Sequence, residues 1–525
     1  MNALLLQILA PRKDRPLPTW TIFPVIFAAL YASHFSLLRL PYYWDEAGYY
    51  IPAAWDFFRT GSLIPITTLS NAHPPLPSIY LALWWKTSGF DPEVTREAVL
   101  LVASLGLLAV WRLALRLTSS ALVAFWTVVL TGLYPIWFAQ SSLAHADIFA
   151  AACTLWGLVF VLPETGRKPW AAMLWFMAAA LCKETAIAVP LTLAALSVFA
   201  GLRSPMGRSR AFGEAAWLSA SVLPLCGWYA WHYAKTGFVF GNPEFLRYNA
   251  EATMTPLRIL AAFCHRILHL TAHMNLFVPS ILTLAALMLK PRLERDGQVR
   301  KPIEPGALWR IFWLLLANAI LFSVLGGALL TRYLLPMYPL VAVVAVATFR
   351  RRVPYWQALA ALSAAAFFAA LFVNPPYRFA PEDNLAYARV IRLHMDGIAQ
   401  LNRRDRGVTV LSAWPMTDEL TRPELGYVNQ PYSVDRIEDF TAAQIDRAAA
   451  EPDKHGAALV FSTKYDPPSL PLSMGPKSEA LDEHYFGLHH DLPPEAIALR
   501  LHGTLVWQRE DHGFWVALIQ FTHQK

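Results

Sequence analysis

Two adjacent acids, Asp45 and Glu46, stand among aromatic residues in the segment 42–50, which reads Tyr-Tyr-Trp-Asp-Glu-Ala-Gly-Tyr-Tyr. A carboxylate that rings partly shield from water can accept a proton from an attacking hydroxyl group. A carboxylate of this pair could therefore act as a general base. An ordinary polar helix end with interfacial aromatic residues is the alternative, and the dipeptide alone does not separate the two.

Three basic side chains could hold an anionic group. Lys183, followed by Glu184, interrupts an apolar stretch of about thirty residues, where charges are costly and are usually paired or functional. Arg332, followed by Tyr333, offers a bidentate fork to a phosphate. His73 precedes two prolines and could bind a phosphate or position an acceptor. The structural alternatives are a surface turn, an interfacial anchor and a loop histidine.

A third acid, Asp147, opens an apolar run after His145 and Ala146. An acid in the first turn of a helix is also favoured by the helix dipole, so a capping role is its structural alternative.

The composition indicates that lipid surrounds the elements that position these residues. Of 525 residues, 56% are hydrophobic and only 15% are charged, whereas a soluble domain carries about 25% charged residues. The mean hydropathy is +0.36. The net charge of +7 could suit nucleic acid. The basic residues, however, lie in short loops between apolar runs, which favours a role in membrane orientation.

About eleven apolar runs are candidate membrane spans, since a bilayer core needs roughly 20 helical residues. They lie near 20–38, 98–117, 120–138, 147–163, 169–182, 186–201, 214–233, 276–290, 308–326, 333–349 and 354–373. The fold class predicted is therefore a polytopic α-helical membrane protein, with the membrane domain covering 1–373.

Alternate loops of this scheme are basic, as the positive-inside rule requires of cytoplasmic loops. The basic residues are Arg12, Lys13 and Arg15, then Arg112 and Arg116, Arg167 and Lys168, Arg203, Arg208 and Arg210, the run from Lys290 to Lys301, and Arg350 to Arg352. The prediction is an inner-membrane protein of a bacterium with a cytoplasmic N terminus. The opposite face receives the loops 40–97 and 235–275. Met1–Ala10 is apolar but short and lacks a small-residue cleavage site, so no cleavable signal peptide is expected.

The segment 374–525 is predicted to be a soluble α/β domain on the outer, periplasmic side. Its elements are expected to be a helix over 383–402 and strands over 408–413, 457–462, 501–508 and 514–521. Trp414, Trp515 and Tyr427 could stack on a sugar, although core packing explains each of them as well.

The topology puts Asp45, His73, Asp147, Lys183 and Arg332 at one membrane face. Acids and bases gathered at a lipid-accessible level suit a substrate with an anionic headgroup and an apolar tail.

In their order, these motifs resemble the dolichyl-phosphate-mannose protein mannosyltransferase superfamily, whose bacterial relatives include the aminoarabinose transferases of lipid A. The motifs are the Asp-Glu pair, the His-Pro-Pro-Leu that begins at His73, the acid Asp147, the Lys-Glu-Thr that begins at Lys183, and the Arg-Tyr-Leu-Leu-Pro that begins at Arg332. The resemblance covers roughly Trp20–Pro339, and it implies a GT-C fold. The segment after Asn374 resembles the extra outer domains of some members in its placement only.

The resemblance also implies roles. Asp45 would be the catalytic base with Glu46 supporting it, while Lys183 and Arg332 would hold the carrier phosphate with His73 near the phosphate or acceptor. Asp147 matches the second acidic position of the family, and Glu184 and Tyr333 flank the basic residues as supporting groups. Aminoarabinose transferases tend to carry Lys before the first-loop proline, where this chain has Asn71-Ala72-His73.

The function expected is inverting transfer of a sugar from a polyprenyl-phosphate donor to a protein, lipid or glycan acceptor. No nucleotide site is expected, because neither common phosphate-cradling glycine loop occurs. No cofactor or obligatory metal is expected either, although a carboxylate pair could hold a divalent cation. His265, His269 and His273 share a helix face that could bind a metal or form the polar side of an interfacial helix. The rival classes are a transporter or lipid flippase and an envelope assembly scaffold.

Overall fold

The computed structural model of the protein describes residues 21–521 apart from 206, 240, 244–246, 248–249, 251–252, 295, 405–406, 452–453 and 468–475. The basic residues between Arg12 and Arg15, on which the predicted orientation partly depends, lie outside the described residues, as does Met1–Ala10.

Apolar helices joined by short polar segments form the larger part of the described chain. They are α1 (Phe23–His34), α2 (Ile51–Thr60), α3 (Leu76–Ser88), α4 (Pro92–Thr118), α5 (Ala121–Leu133), α6 (Pro135–Gln140), α7 (Ala146–Val161), α8 (Pro169–Cys182), α9 (Ala188–Arg203), α10 (Arg208–Ala220), α11 (Leu223–Thr236), α12 (Pro256–Thr271), α13 (Phe277–Leu287), α14 (Pro305–Val324), α15 (Tyr338–Arg352) and α16 (Trp356–Phe372). Many open on proline, which is compatible with the first helical turn because its missing N–H needs no partner there.

Three helical segments among the described residues are long and apolar enough to cross a membrane: Pro92–Thr118, Glu184–Arg203 and Pro305–Val324. A fourth is added if the pair Pro256–Asn275 and Phe277–Leu287, bent by 98°, counts as one span. The predicted apolar runs do become helices, but several have only 10–17 residues. A count of eleven spans is therefore not established by helix length. The run predicted over 214–233 is broken between α10 and α11.

Short helical turns containing polar residues lie between the apolar helices. Four such turns are Glu184–Ile187, His273–Asn275, Thr331–Leu334 and Pro381–Asp383. Because a tight turn frees backbone and side-chain groups from the regular ladder, each of these breaks can present polar groups beside the bundle.

A mixed sheet with its helices forms the last part of the described chain. The helices are α17 (Ala386–Arg404), α18 (Met416–Thr421), α19 (Ala442–Ala449), α20 (Pro476–Phe486) and α21 (Pro494–Arg500), and the strands are β1 (Val410–Ala413), β2 (Val434–Ile437), β3 (Ala457–Phe461), β4 (Thr504–Asp511) and β5 (Phe514–Gln520). The strand order is β2-β1-β3-β5-β4. Strand β1 pairs in parallel with β2 and β3, and β5 pairs antiparallel with β3 and β4.

The predicted α/β character of this segment is confirmed, with one strand missed. Strands β1, β3, β4 and β5 fall on the four predicted segments, and α17 falls on the predicted helix. Strand β2 has the sequence Val-Asp-Arg-Ile and lies at the sheet edge, where it buries only Ile437. A four-residue edge strand with two charged residues has no alternating apolar pattern to reveal it.

The sheet domain packs directly on the first loop of the helical part. Tyr42 donates its backbone N–H to Leu425 O at 3.2 Å, and Tyr427 donates its hydroxyl to Tyr42 O at 3.0 Å. The Tyr43 and Tyr387 rings lie 6.0 Å apart, and both residues are almost fully buried. The loop that carries Asp45 is therefore fixed between the two parts of the chain.

Candidate active site

Asp45 lies at a backbone irregularity. The preceding residue, Trp44, has a φ of +47°, which L residues rarely adopt, and Glu46–Tyr50 forms a single π-helical turn. Such strain and π-turns persist where surrounding structure enforces them, often at functional sites. Here Trp414 of the sheet domain packs so closely on Gly48 that an added Cβ would meet its ring at 2.9 Å. The Asp45 side chain keeps 21% of its surface exposed.

Arg332 joins three acids that come from three separate parts of the chain. Its guanidinium contacts Asp45 and Glu382 directly, and its Nε lies 3.4 Å from Asp147 Oδ2. The Arg332 side chain is only 3% exposed. Burial lowers the pKa of this guanidinium, but the Asp45 and Asp147 carboxylates raise it, and the net shift is upward. Arg332 is therefore a permanent positive charge inside an acidic shell.

Lys183 adds a second cation to the same cluster. It follows the last residue of α8 with extended backbone angles, so its side chain turns away from the helix. Its Nζ donates to Asp147 Oδ1 at 2.6 Å and lies 4.2 Å from the centre of the Tyr333 ring. Asp147 thus bridges Lys183 and Arg332 from the first turn of α7, and the structure brings together Asp45, Asp147, Lys183, Arg332 and Tyr333.

His73 and Glu184 form a neighbouring pair. His73 Nδ1 donates to Glu184 Oε2 at 3.0 Å, and the His73 ring stacks on Tyr50 at 5.8 Å. Ala72, just before His73, has a φ of +59°. A cleft of about 30 Å³ lies beside His73 and is lined among others by Tyr50, His73 and Trp228. A volume of this size holds water, and the Tyr50 and His73 rings form part of its wall.

Glu46 is not brought to this cluster, although it adjoins Asp45 in sequence. Its side chain is fully buried and lies 3.4 Å from Arg96 NH2. Its Oε1 accepts from Ala144 N at 2.6 Å, and its Oε2 accepts from Tyr43 N at 3.0 Å. Arg96 also donates to the Ser142 carbonyl at 2.7 Å. This pair fixes the loop that carries Asp45 to the loop before α7.

Glu46→Gln is expected to lower the free energy of unfolding by about 3 kcal/mol, because it leaves the buried Arg96 charge unbalanced. Thermal unfolding in detergent measures the loss, and any activity per folded molecule should stay within about threefold of wild type. The double variant Glu46→Gln/Arg96→Met removes both charges and should recover much of the stability. A double variant less stable than either single variant would contradict this assignment.

Sequence reasoning missed several residues of the cluster. Glu382 contacts Arg332, and Asp383 accepts from the Thr331 hydroxyl and, at 2.9 Å, from His273 Nε2. Arg266 is fully buried beside Tyr333, with 5.7 Å between its guanidinium carbon and the ring centre. Glu382 and Asp383 stand at the start of the helix predicted over 383–402, where acids are common helix-start signals, and Arg266 carries no local signal because it lies on an amphipathic helix.

His145 is a further buried group beside the cluster. Its Nδ1 lies 2.8 Å from Gln140 Oε1, which can only accept, so Nδ1 carries the hydrogen. Burial lowers the pKa of His145 well below its usual range, and the nearby Arg332 and Lys183 charges add to this. His145 is therefore a neutral imidazole at the start of α7.

Only part of the predicted histidine face, formed by His265, His269 and His273, lies on α12. The rings of His265 and His269 are 6.4 Å apart, and those of His269 and His273 are 5.2 Å apart. His273 lies past the end of α12 and is bound by Asp383. Among the described residues, no group of three or more His, Cys, Asp or Glu is arranged to hold a metal ion.

The cluster combines a partly exposed acid with two cations against an apolar bundle. Asp45 is partly exposed, as a group that exchanges a proton with a substrate must be, and Arg332 fixes its position. Lys183 presents an ammonium group with three donors, one of which goes to Asp147. Such a set can accept a proton at one point and offset negative charge at another. The fold and the cluster together define a bundle of apolar helices that carries a charged site beside a mixed-sheet domain.

Comparisons with known proteins support this class through structure alone. No family model matches the chain, and no curated protein matches it. Two crystal structures of the aminoarabinose transferase ArnT from Cupriavidus metallidurans match its fold, one bound to undecaprenyl phosphate and one in the apo state. Each matches with a TM-score of 0.52 at 14% sequence identity. The match covers 98% of each ArnT chain, and it covers 96% of this chain for the bound structure and 95% for the apo structure. The predicted GT-C fold is thereby confirmed.

Proposed function

We propose that this protein is a glycosyltransferase that moves a sugar from a polyprenyl-phosphate carrier to a hydroxyl or phosphate group of an acceptor at the outer face of a bacterial inner membrane. The observation that carries the proposal is the convergence of Asp45, Asp147, Lys183 and Arg332 in one cluster. These residues come from four distant segments, and packing alone gives no reason to bury two cations among acids. The ArnT structure with undecaprenyl phosphate shows a fold of this type holding such a carrier.

The proposed reaction is a single displacement at the anomeric carbon. The acceptor oxygen attacks as Asp45 takes its proton, a new C–O bond forms, and the bond between the sugar and the carrier phosphate breaks. The carrier leaves as polyprenyl phosphate with both electrons of that bond, and the anomeric centre is inverted. Catalysis then consists of positioning and of stabilising the charge on the leaving phosphate.

Lys183 is the better placed of the two predicted phosphate ligands. Its ammonium group uses one contact to Asp147 and lies against the Tyr333 ring, so it can pair with a phosphate without breaking the cluster. Each nitrogen of Arg332, by contrast, already faces a carboxylate. In this proposal Lys183 meets the carrier phosphate, and Arg332 fixes the acids and meets the phosphate only by exchanging one of them.

Lys183→Met is expected to raise the KM for the lipid donor by about tenfold and lower kcat by about tenfold or more, since an ammonium–phosphate contact contributes about 1.5–3 kcal/mol. Methionine matches the length of the lysine stem and keeps contact with Tyr333. The measurement is transfer of radiolabelled sugar from a polyprenyl-phosphate donor in proteoliposomes. Lys464→Met, in the sheet domain, is the control. Unchanged donor kinetics would remove Lys183 from the donor site.

The same proteoliposomes separate the proposal from its rivals. A transporter or flippase would move the labelled lipid across the bilayer without turnover, whereas the proposed enzyme releases free carrier phosphate and a labelled acceptor. Mass spectrometry of glycolipids and envelope glycans from a deletion strain would identify the acceptor and the sugar. A strain that keeps every envelope glycan intact would contradict the proposal.

A further inference from the structure

The segment that joins the helical bundle to the sheet domain enters the cluster. After α16 ends at Phe372, Pro381–Asp383 forms a short turn before α17 begins at Ala386. The Glu382 and Asp383 side chains are only 4% and 2% exposed. Burying two adjacent carboxylates costs several kcal/mol each unless partners stabilise them. The buried positions of Glu382 and Asp383 therefore depend on the groups that they contact.

Two partners of this turn lie on the segment Thr331–Leu334, and a third, His273, lies 2.9 Å from Asp383 through its Nε2. Glu382 contacts the Arg332 guanidinium, and Asp383 accepts from the Thr331 hydroxyl. That segment is a turn of four residues, so no long helix fixes the direction of the Arg332 side chain. Tyr338 adds one hydrogen bond to the Thr331 carbonyl at 2.9 Å. Together with Asp45 and Asp147, the connector acids therefore fix where Arg332 points, Glu382 by direct contact and Asp383 through Thr331.

The connector is itself tied to both parts of the protein. Leu385 N donates to Leu371 O at 3.1 Å, and the Asn384 amide donates to Ala370 O at 3.3 Å. Behind it, Tyr387 on α17 shares a hydrogen bond of 3.0 Å with Ser142, in the loop before α7. A displacement of the sheet domain thus shifts the acids that hold Arg332.

We infer that Glu382 is a positioning residue that holds Arg332 against Asp45, so that the sheet domain and its connector complete the active site. The inference rests on the proposed function for its kinetic consequence, but not for the contact itself. Without Glu382, Arg332 keeps Asp45 and Asp147, and Lys183 competes with it for Asp147. The NH1 group that contacted Glu382 then has lost its acid, so the guanidinium can turn and no longer holds Asp45 in one fixed geometry.

Glu382→Gln is expected to lower kcat for sugar transfer by about 10- to 100-fold, as misplacement of a catalytic group by about 1 Å does, with the donor KM within about twofold. Glu382→Asp keeps the charge on a shorter stem and should recover between a third and a half of that loss on a logarithmic scale, which leaves kcat at least threefold below wild type. Glu214→Gln is the matched control, because Glu214 is also buried and pairs with two arginines, Arg167 and Arg310, outside the cluster. It should lower stability without this kcat effect.

Hydrogen exchange of the purified full-length protein tests the contact independently of activity. Glu382→Gln should speed amide exchange by about tenfold or more in 42–50 and 331–335, and Glu214→Gln should leave both segments unchanged. If wild-type protein transfers no sugar but the exchange changes as expected, the proposed function fails and the positioning role stands. If wild-type protein transfers sugar and Glu382→Gln changes neither kcat nor amide exchange, the positioning role is wrong. If Glu382→Gln cannot be purified, Glu382→Asp must lower kcat at least threefold with an unchanged donor KM, or the inference falls.

Discussion

Asp45→Asn is expected to lower kcat for sugar transfer by about 10²–10⁴-fold, which is the usual contribution of a general base. Asparagine keeps the size of the side chain and can still contact Arg332, but its amide cannot take the proton of an acceptor hydroxyl at neutral pH. Folding should be retained, because Arg332 keeps Asp147 and Glu382 as partners. The donor KM should change little, since the phosphate is held elsewhere. Steady-state transfer by purified protein gives both constants.

Asp56→Asn provides the matched control for this variant. Asp56 lies on α2, eleven residues after Asp45, and is 4% exposed, and its carboxylate accepts from Ile66 N at 2.7 Å and Thr67 N at 2.8 Å. Its loss should weaken the loop and lower thermal stability while leaving kcat of the folded protein within severalfold. Wild-type transfer by Asp45→Asn would exclude Asp45 as the base and remove the centre of the proposed mechanism.

The residues that sequence analysis correctly placed together share one property: each is a charged side chain within or beside an apolar stretch. Lys183 and Arg332 each interrupt or end a long apolar run, and Asp147 starts one. Burying an ionised side chain in an apolar surrounding costs free energy, so a charged residue at such a position is expected to be paired or functional. The ends of helices on the same side of a membrane must also lie at a similar depth. Burial cost and topology together could therefore predict that these residues meet.

The positions that sequence analysis could not resolve depend on side-chain direction. Asp45 and Glu46 are neighbours, yet they point to different partners because the π-turn after Asp45 changes the angle between successive residues. Glu382 and Asp383 matched the pattern of a helix start, and nothing local shows that a turn aims them at residues about 50 positions earlier. Such contacts arise from tertiary packing, which a local pattern does not encode.

Arg332→Lys is the second large effect expected, and it separates charge from geometry. A lysine keeps the positive charge, but a single ammonium group at the end of a flexible stem cannot face Asp45, Asp147 and Glu382 as a planar guanidinium does. One or two of the acids then repel one another without a shared partner. We expect kcat/KM to fall by about 10²-fold, since displaced catalytic groups cost this much, and the free energy of unfolding to fall by about 2 kcal/mol.

Arg39→Lys is the control for this substitution, because Arg39 pairs with Glu93 on an exposed surface and is 80% exposed. Exposed pairs contribute little, so its kinetics and stability should match wild type. Arg332→Ala leaves room for a free guanidinium ion, and added guanidinium at millimolar concentration should restore part of its kcat, whereas an alkylammonium ion of similar charge should not. Rescue by both ions would mean that charge alone suffices, and wild-type kinetics in Arg332→Lys would show that the three-sided fork has no role in transfer. Rescue by guanidinium alone would tie the reaction to the planar group that joins acids from three separate parts of the chain.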